Sequence, residues 1–256
     1  LLDVDDFIEG GDHRHRKVID KSYAKYKCGK AVDLVAAGEE GTLFAGRRIS
    51  QDRKFNIEVT MNHYVKDKLS KIEVPRGYIK DTKAVSDGML TKIKGVNGAL
   101  GWLSSTGRPD MAAVHSIIPG GYEARQPSLI TDVNAAVAQC QSIPITIKIW
   151  SIPPDDLRWT TFTDSGFDTS EKARHQQGWI VGATNSWFNQ GRRAPVSVVH
   201  WRSRKLPRKA GSPQLVETYA ASSAVVEMAW IKALWESMTW TCLLYTSPSP
   251  RDRQKS

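Results

Sequence analysis

Cysteine is scarce in this chain, with only Cys28, Cys140 and Cys242 among 256 residues. A disulfide framework needs more cysteines, and a tetrahedral zinc site needs four ligands at closer spacing than these positions supply. The sequence therefore argues against a disulfide-stapled fold and a cysteine zinc site. It gives no reason to expect thiol chemistry.

Long apolar runs are also lacking. No stretch approaches the ~18 to 20 uninterrupted apolar residues of a membrane-spanning helix. Residues 1–30 carry Asp and His where a signal peptide has an apolar core. With 40% hydrophobic and 25% charged residues, the chain still has enough apolar material for one large domain or two small ones. We expect an intracellular globular protein without a membrane partner.

Acidic residues are the scarcer charge: 27 Asp and Glu face 36 Lys and Arg, giving a formal net charge of +9. Such an excess favours polyanionic partners through Coulomb attraction and counterion release. Residues 192–209 hold seven cations and no acid. The candidates for phosphate contact and base stacking in this stretch are Arg192, Arg193, Trp201, Arg202, Arg204 and Lys205. A solvated surface loop is the alternative interpretation.

Both ends of the sequence differ from the pattern of an intact domain. The chain begins at Leu1 without Met, directly inside an acidic and apolar motif, so we expect a fragment. Residues 241–256 contain the run CLLYTSPSPRD, which resembles the in-frame translation of a sequencing-library adapter. We predict that this tail lies outside the fold, and a native Pro- and Ser-rich tail is the alternative.

Composition and pattern divide the remaining chain into three segments, 1–75, 76–155 and 156–240. In the first segment, the apolar runs at 41–49 and 55–69 predict a strand, a turn, a strand and then a helix.

The second segment is predicted to be mainly helical. Thr106-Gly107-Arg108-Pro109 separates its first two helices because Gly and Pro end one helix and Pro begins the next. The predicted elements are helices over 96–104, 110–118 and 128–139, β structure over 143–150 and a linker over 152–156.

The third segment has the clearest pattern. A long helix is predicted from Pro213 to Trp240, with Ser212 as its N-cap, since the run contains no Gly and no further Pro. Three strands are predicted before it, over 157–164, 178–188 and 196–203.

The first candidate site is the acidic pair Asp5 and Asp6, which lies between apolar neighbours. Adjacent strand residues point to opposite faces, so both carboxylates reach one site only at a hairpin tip. Two carboxylates held together repel each other unless a cation such as Mg²⁺ neutralises them. Asp5 and Asp6 are therefore candidate metal ligands, and an ordinary acidic loop is the alternative.

The second candidate site combines Asp164 in the strand 157–164 with Glu217 early in the long helix. Parity places Asp164 on the strand face of Thr160 and Phe162, where a helix packed on that face would meet it. Glu217 is predicted to share a helical stripe with Ala221, Ala224, Met228, Ile231 and Trp235. An unpaired buried carboxylate is costly, so a metal shared with Asp164 is one interpretation. A solvated Glu favoured by the helix dipole is the other.

Together these motifs resemble the reverse transcriptase and ribonuclease H region of a copia-type LTR-retrotransposon polyprotein, over nearly all of residues 1–240. The polymerase part is represented by Val4-Asp5-Asp6 and by residues 44–69, and the connecting segment by Gly98-Ala99-Leu100-Gly101-Trp102-Leu103 and Arg108-Pro109-Asp110-Met111. The ribonuclease H part is represented by Thr163-Asp164, His200-Trp201-Arg202-Ser203-Arg204-Lys205 and Val216-Glu217-Thr218-Tyr219-Ala220-Ala221.

The resemblance implies an α+β palm fragment over 1–75 and a connection over 76–155, followed by an α/β ribonuclease H-like domain with a mixed sheet over 156–240. By the same resemblance, Asp5 and Asp6 would hold the Mg²⁺ ions of the polymerase, and Asp164 and Glu217 those of ribonuclease H. The implied chemistry is nucleotidyl transfer and RNA-strand hydrolysis by two metal ions.

The implied partners are an RNA/DNA hybrid or a template–primer, together with the integrase and capsid segments of the same polyprotein. The implied location is a cytoplasmic particle or the nucleus. The chain departs from the family pattern at Asp3, where the family has an aromatic residue, and at Gly107, which interrupts Thr-Arg-Pro-Asp. The family's remaining metal-binding acids would lie before Leu1 and after Trp240. We therefore predict neither polymerase nor full ribonuclease H activity for this chain, and the alternative is a non-catalytic nucleic-acid-binding remnant that uses residues 192–209.

Overall fold

The computed structural model describes residues 2–3, 6–11, 13–25, 31–168, 175–207 and 209–239. The chain divides into two compact units, and each unit draws on two separate stretches of sequence. Unit 1 comprises Leu1–Arg108 and Ala124–Ser151, and unit 2 comprises Pro109–Glu123 and Ile152–Ser256.

Nine strands and seven helices lie within the described residues. The strands are β1 (Leu2–Asp3), β2 (Asp6–Phe7), β3 (Thr42–Phe44), β4 (Arg47–Gln51), β5 (Ile57–Thr60), β6 (Thr146–Ile149), β7 (Arg158–Gly166), β8 (Gln176–Thr184) and β9 (Ser197–Lys205). The helices are α1 (His13–Lys25), α2 (Asn62–Lys68), α3 (Tyr78–Asp81), α4 (Asp87–Thr106), α5 (Ala112–Ile117), α6 (Ser128–Ser142) and α7 (Pro213–Thr239).

Unit 1 contains a four-stranded antiparallel sheet in the order β3-β4-β5-β6. β6 returns to pair with β5 after a long helical excursion, in which α4 and α6 contact each other. Their buried faces supply most of the core, with Ile93, Leu100 and Leu103 on α4 and Ile130, Val133 and Val137 on α6.

The helix predicted over 96–104 lies within α4, which begins earlier, at Asp87. The Ser86 hydroxyl accepts a hydrogen bond from the Met89 amide at 3.3 Å and caps the helix. Leu90 and Ile93 continue the buried face towards this cap, although four glycines in the helix weaken its local propensity. Burial in the core outweighs that weakness.

The connecting motif at Arg108-Pro109-Asp110-Met111 spans the boundary between the two units. Pro109–Met111 forms a 3₁₀ turn, so the helix predicted over 110–118 is shortened to α5. The Arg108 side chain is fully buried in unit 1 and donates a hydrogen bond to the Cys140 carbonyl at 3.1 Å. The helix predicted over 128–139 is confirmed as α6, and the β structure predicted over 143–150 is confirmed as β6.

Unit 2 contains a three-stranded antiparallel sheet in the order β7-β8-β9. Its strands overlap the three predicted ones, and α7 follows with Ser212 as its cap, since the Ser212 hydroxyl accepts from the Leu215 amide at 3.2 Å. All three described strands are antiparallel to their neighbours, so the parallel strand of a mixed sheet stays a prediction. The broader expectation of a fold that mixes helices and sheets is confirmed.

Helix α7 covers one face of this sheet. Trp179 and Val181 of β8 form a buried cluster with Ala224 of α7, against which Trp159, Met228 and Ile231 pack. Helix α5 lies on the other face beside β9, where the Gln176 side chain donates to the Ser116 hydroxyl at 2.8 Å. Among the described helices, none combines the length and the hydropathy of a membrane-spanning segment.

Candidate nucleic-acid interface

The acidic pair near the start of the chain is only partly described. Asp6 begins β2, and its backbone pairs with that of Asp3 in a short antiparallel hairpin. Asp5 and the side chain of Asp6 lie outside the part of the chain that the structure describes. The metal role of this pair therefore stays a prediction.

Asp164 lies near the end of β7 with an exposed side chain whose carboxylate accepts a hydrogen bond from the Ser165 amide at 2.9 Å. Directly paired residues of antiparallel strands point to the same face of a sheet. Thr163 and Thr161 pair with Trp179 and Val181, which face α7. Asp164 alternates with them and so points to the opposite face. Asp164 lies on the same strand face as Phe162, as predicted, but α7 packs on the opposite face of the strand.

Glu217 is exposed on α7, and the helix stripe predicted around it is wrong over the first turns. The residues that the sheet buries there are Val216, Ala220 and Ala224, spaced by four. Glu217 follows Val216 by one residue, which rotates its side chain about 100° around the helix. The helix buries the stripe that starts with Val216 against the sheet, because burying Glu217 instead would leave its carboxylate unpaired.

These placements decide how the acids fit a magnesium site. Carboxylate oxygens are suitable ligands for Mg²⁺, but the ion needs them around one point. The register puts Asp164 on the sheet face opposite the helix that carries Glu217. Within the ranges that the structure describes, no three His, Cys, Asp or Glu side chains come together as a metal-binding group. Asp164 and Glu217, as placed, do not suit one shared ion.

The basic residues of β9 alternate between the two faces of the sheet. Arg202 and Arg204 pair with Trp179 and Gln177 and therefore lie on the α7 face. Arg202 is exposed, whereas the half-buried Arg204 guanidinium lies 5.1 Å from the centre of the Trp179 ring. This stacking gives Arg204 a structural role.

The remaining β9 candidates, Trp201 and Lys205, lie on the other face. They pair with Ile180 and Gln176 and are both half-buried. Phe162 of β7 pairs with Ile180 from the other side. One apolar row therefore crosses the three strands on the face away from α7.

Arg192 and Arg193 lie in the loop 185–196 that joins β8 to β9, and both are exposed. The Arg192 guanidinium lies 4.8 Å from the centre of the Trp187 ring. A hydrogen bond from the Ser186 amide to the Asp156 carboxylate, at 3.1 Å, joins this loop to the segment just before β7. Hydrogen bonds from the Ser186 side chain and backbone hold the pKa of Asp156 below its usual value.

Sequence reasoning missed the aromatic residues of this region. Phe162, Trp187 and Phe188 are all exposed, and none was among the predicted site residues. The signal for Trp187 and Phe188 was the run Asn185-Ser186-Trp187-Phe188 followed closely by Gly191-Arg192-Arg193, whereas no local signal joined Phe162 to them. Comparisons of the chain with protein-family models, with curated proteins and with solved structures gave no match.

Proposed function

We propose that this chain comes from the reverse transcriptase and ribonuclease H region of a copia-type retrotransposon polyprotein and acts by binding nucleic acid. The observation that carries the binding function is the exposure of Arg192, Arg193 and Arg202 along β9 and the loop before it. They belong to a stretch of seven cations without an acid. Cations displayed in this way neutralise phosphates and release counterions.

The order of elements in unit 2 supports the ribonuclease H part of this proposal. Three consecutive antiparallel strands are followed by a helix across one face of the sheet. The mixed sheet that the resemblance implies would gain its parallel strand beside β7, which is an edge of the sheet within the described residues. In unit 1, the antiparallel sheet with helices is compatible with the expected α+β palm and connection.

The placement of Asp164 and Glu217 favours a nucleic-acid-binding function over phosphodiester chemistry. Asp164 and Glu217 belong to opposite sides of the sheet, so no metal-dependent step follows from them here. Nucleotidyl transfer and RNA-strand hydrolysis remain what the resemblance implies for the intact polyprotein. For this chain we propose a non-catalytic function in which RNA/DNA hybrid or template–primer is bound through its phosphates.

The test is the salt dependence of hybrid binding by the 256-residue chain. We expect the affinity for an RNA/DNA hybrid to fall steeply with added salt, and Arg202→Ala to reduce the logarithmic salt slope by about 1. Glu217→Gln, also an exposed position of unit 2, is the matched control and should not lower the affinity, since it removes an acid and no phosphate-binding cation. Two results contradict the proposal: failure to bind hybrid at low salt, or Mg²⁺-dependent hybrid cleavage that Glu217→Gln abolishes.

A further inference from the structure

Three exposed aromatic residues lie close together in unit 2, because Phe188 follows Trp187 in the chain and its ring contacts that of Phe162. Phe162 is 45% exposed, Trp187 46% and Phe188 37%. Phe162 and Phe188 are nearly perpendicular, at 89°, with ring centres 6.1 Å apart. We call Phe162, Trp187 and Phe188 the aromatic tip. Because clustered exposed apolar surface marks interaction sites, the aromatic tip is a candidate binding surface.

The backbone of the loop 185–196 is held in place before any ligand arrives. The Arg192 amide donates to the Trp187 carbonyl at 3.1 Å, which closes a tight turn through Gly191. Gly191 has a φ of 67°, a left-handed conformation that glycine adopts at little cost. The Ser186 amide is bound by Asp156, so the chain is also fixed just before Trp187. Such a preordered loop loses little conformational entropy on binding.

The charges beside the aromatic tip indicate a partner that carries phosphate. The Arg192 guanidinium faces the Trp187 ring, an arrangement that leaves its N–H edge available for phosphate oxygens, and Arg193 is exposed beside it. The acids linked to this surface include Asp156, which is engaged with Ser186 and follows the exposed Asp155, and Asp164, which lies two residues beyond Phe162 on the same strand face. A phosphate backbone is therefore favoured on the arginine side of the aromatic tip.

We infer that the aromatic tip binds unpaired bases of single-stranded nucleic acid by stacking, while Arg192 and Arg193 bind the neighbouring phosphates. This inference rests on the proposed function and adds the class of nucleic acid that this surface takes. In a duplex the base faces are covered by their neighbours, whereas every unpaired base offers a face to an exposed ring. The combination of aromatic rings and cations is the one that single-strand binding uses.

The experiment compares two labelled oligonucleotides by fluorescence anisotropy with the full chain. One is a thymidylate oligomer of about 12 nucleotides, and the other is an abasic oligomer with the same number of phosphates. We expect the thymidylate oligomer to bind more tightly. Trp187→Ala should weaken its binding about tenfold through lost base stacking. Abasic binding should change little, because the backbone bond from the Arg192 amide to the residue 187 carbonyl keeps Arg192 in place after its ring contact is lost. Trp187→Phe should restore most of the affinity.

Trp230→Ala is the matched control, since Trp230 is 63% exposed on α7 and lies outside the aromatic tip. Equal binding of the two oligomers by the wild type overturns the inference without needing a variant, and it leaves the proposed function intact. A second result also overturns the inference: the wild type forms a dimer, and Trp187→Ala dissociates the dimer without affecting thymidylate binding. The aromatic tip would then be an interface between two copies of the chain. Failure to bind hybrid and both oligomers contradicts the proposed function itself.

Discussion

The side chain of Asn134 on α6 makes both backbone hydrogen bonds of Ile72, a residue outside the helices and strands. Its side-chain amide donates to the Ile72 carbonyl at 2.9 Å, and its side-chain oxygen accepts from the Ile72 amide at 2.8 Å. Ile72 is buried, so water does not readily replace these bonds. One side chain thus satisfies both polar groups of a buried residue.

Asn134→Ala should therefore lower the free energy of unfolding by about 1–3 kcal/mol, since it leaves a buried amide and carbonyl unpaired. Chemical denaturation monitored by circular dichroism measures the change. Asp132→Ala, at an exposed position of the same helix, should cost less than about 0.5 kcal/mol. Equal losses in the two variants would show that the Ile72 contact contributes nothing specific.

Asp52 stabilises the turn between β4 and β5 in a pH-dependent way. The Asn56 side chain donates to Asp52 at 2.8 Å, and the amides of Asn56 and Lys54 also donate to it. These hydrogen bonds, that of the Asn56 side chain first, lower the pKa of Asp52 below its usual 3.8. Since the folded-state pKa is depressed, the stabilisation is present above pH 3.8 and is lost as the pH falls through the lowered value.

Asp52→Asn should accordingly lower the melting temperature at pH 7, and the difference from wild type should narrow as the pH falls below 3.8. The measurement is thermal unfolding at a series of pH values. Asp67→Asn, an exposed acid on α2, is the control and should show no such convergence. A Tm difference that stays constant across the acid range would contradict the role assigned to the Asp52 charge.

At the scale of elements, α7 presents two unlike faces. Val216, Ala220 and Ala224 are buried against the sheet, and Ala224 packs on Trp179 and Val181. The outward face carries exposed apolar side chains, with Val226 at 66%, Trp230 at 63% and Met238 at 66%. Small residues on the inner face allow the helix backbone to approach the sheet closely.

Ala224→Leu should destabilise unit 2 by about 1–3 kcal/mol, because the larger side chain has no space between the helix and β8. Ala229→Leu adds the same atoms at an exposed position of the same helix and should change stability by less than about 0.5 kcal/mol. Denaturant unfolding followed by tryptophan fluorescence compares them. Equal effects would mean that Ala224 is not tightly packed.

Elements with a strong local signal were predictable from the sequence. The Ser212-Pro213 start of α7 and the three strands before it were found because capping, proline and apolar alternation act locally. The early part of α4 was missed because its glycines conceal a buried face. The face of β7 that α7 covers was also missed, since strand parity does not specify on which side a helix packs.

At the scale of the whole molecule, the candidate site could also be predicted from the sequence only in part. Arg192, Arg193 and Arg202 are exposed, as both the predicted interface and the alternative of a solvated surface loop require, but stacking on Trp179 gives Arg204 a structural contact. Which cations are exposed depends on strand pairing between residues far apart in sequence. The aromatic tip likewise joins a strand residue to a later loop, so no local pattern contained it.

The sheet of unit 2 also predicts a gradient of amide protection. β8 pairs on both sides, whereas β7 and β9 are the edges of this sheet within the described residues. Hydrogen exchange measured by mass spectrometry should therefore be slower in peptides from 176–184 than in those from 158–166. Faster exchange in β8 would contradict the strand order.

The interleaving of the two units has a consequence for synthesis on the ribosome. α5 is translated between two stretches of unit 1, yet its packing partner β9 follows only after residues 118–196 have been made. The nascent chain must therefore carry α5 unpacked while α6 and β6 emerge. The completion of unit 2 is thus delayed until late in translation, and a ribosome that stalls within residues 118–196 exposes a helix that has no partner to cover it.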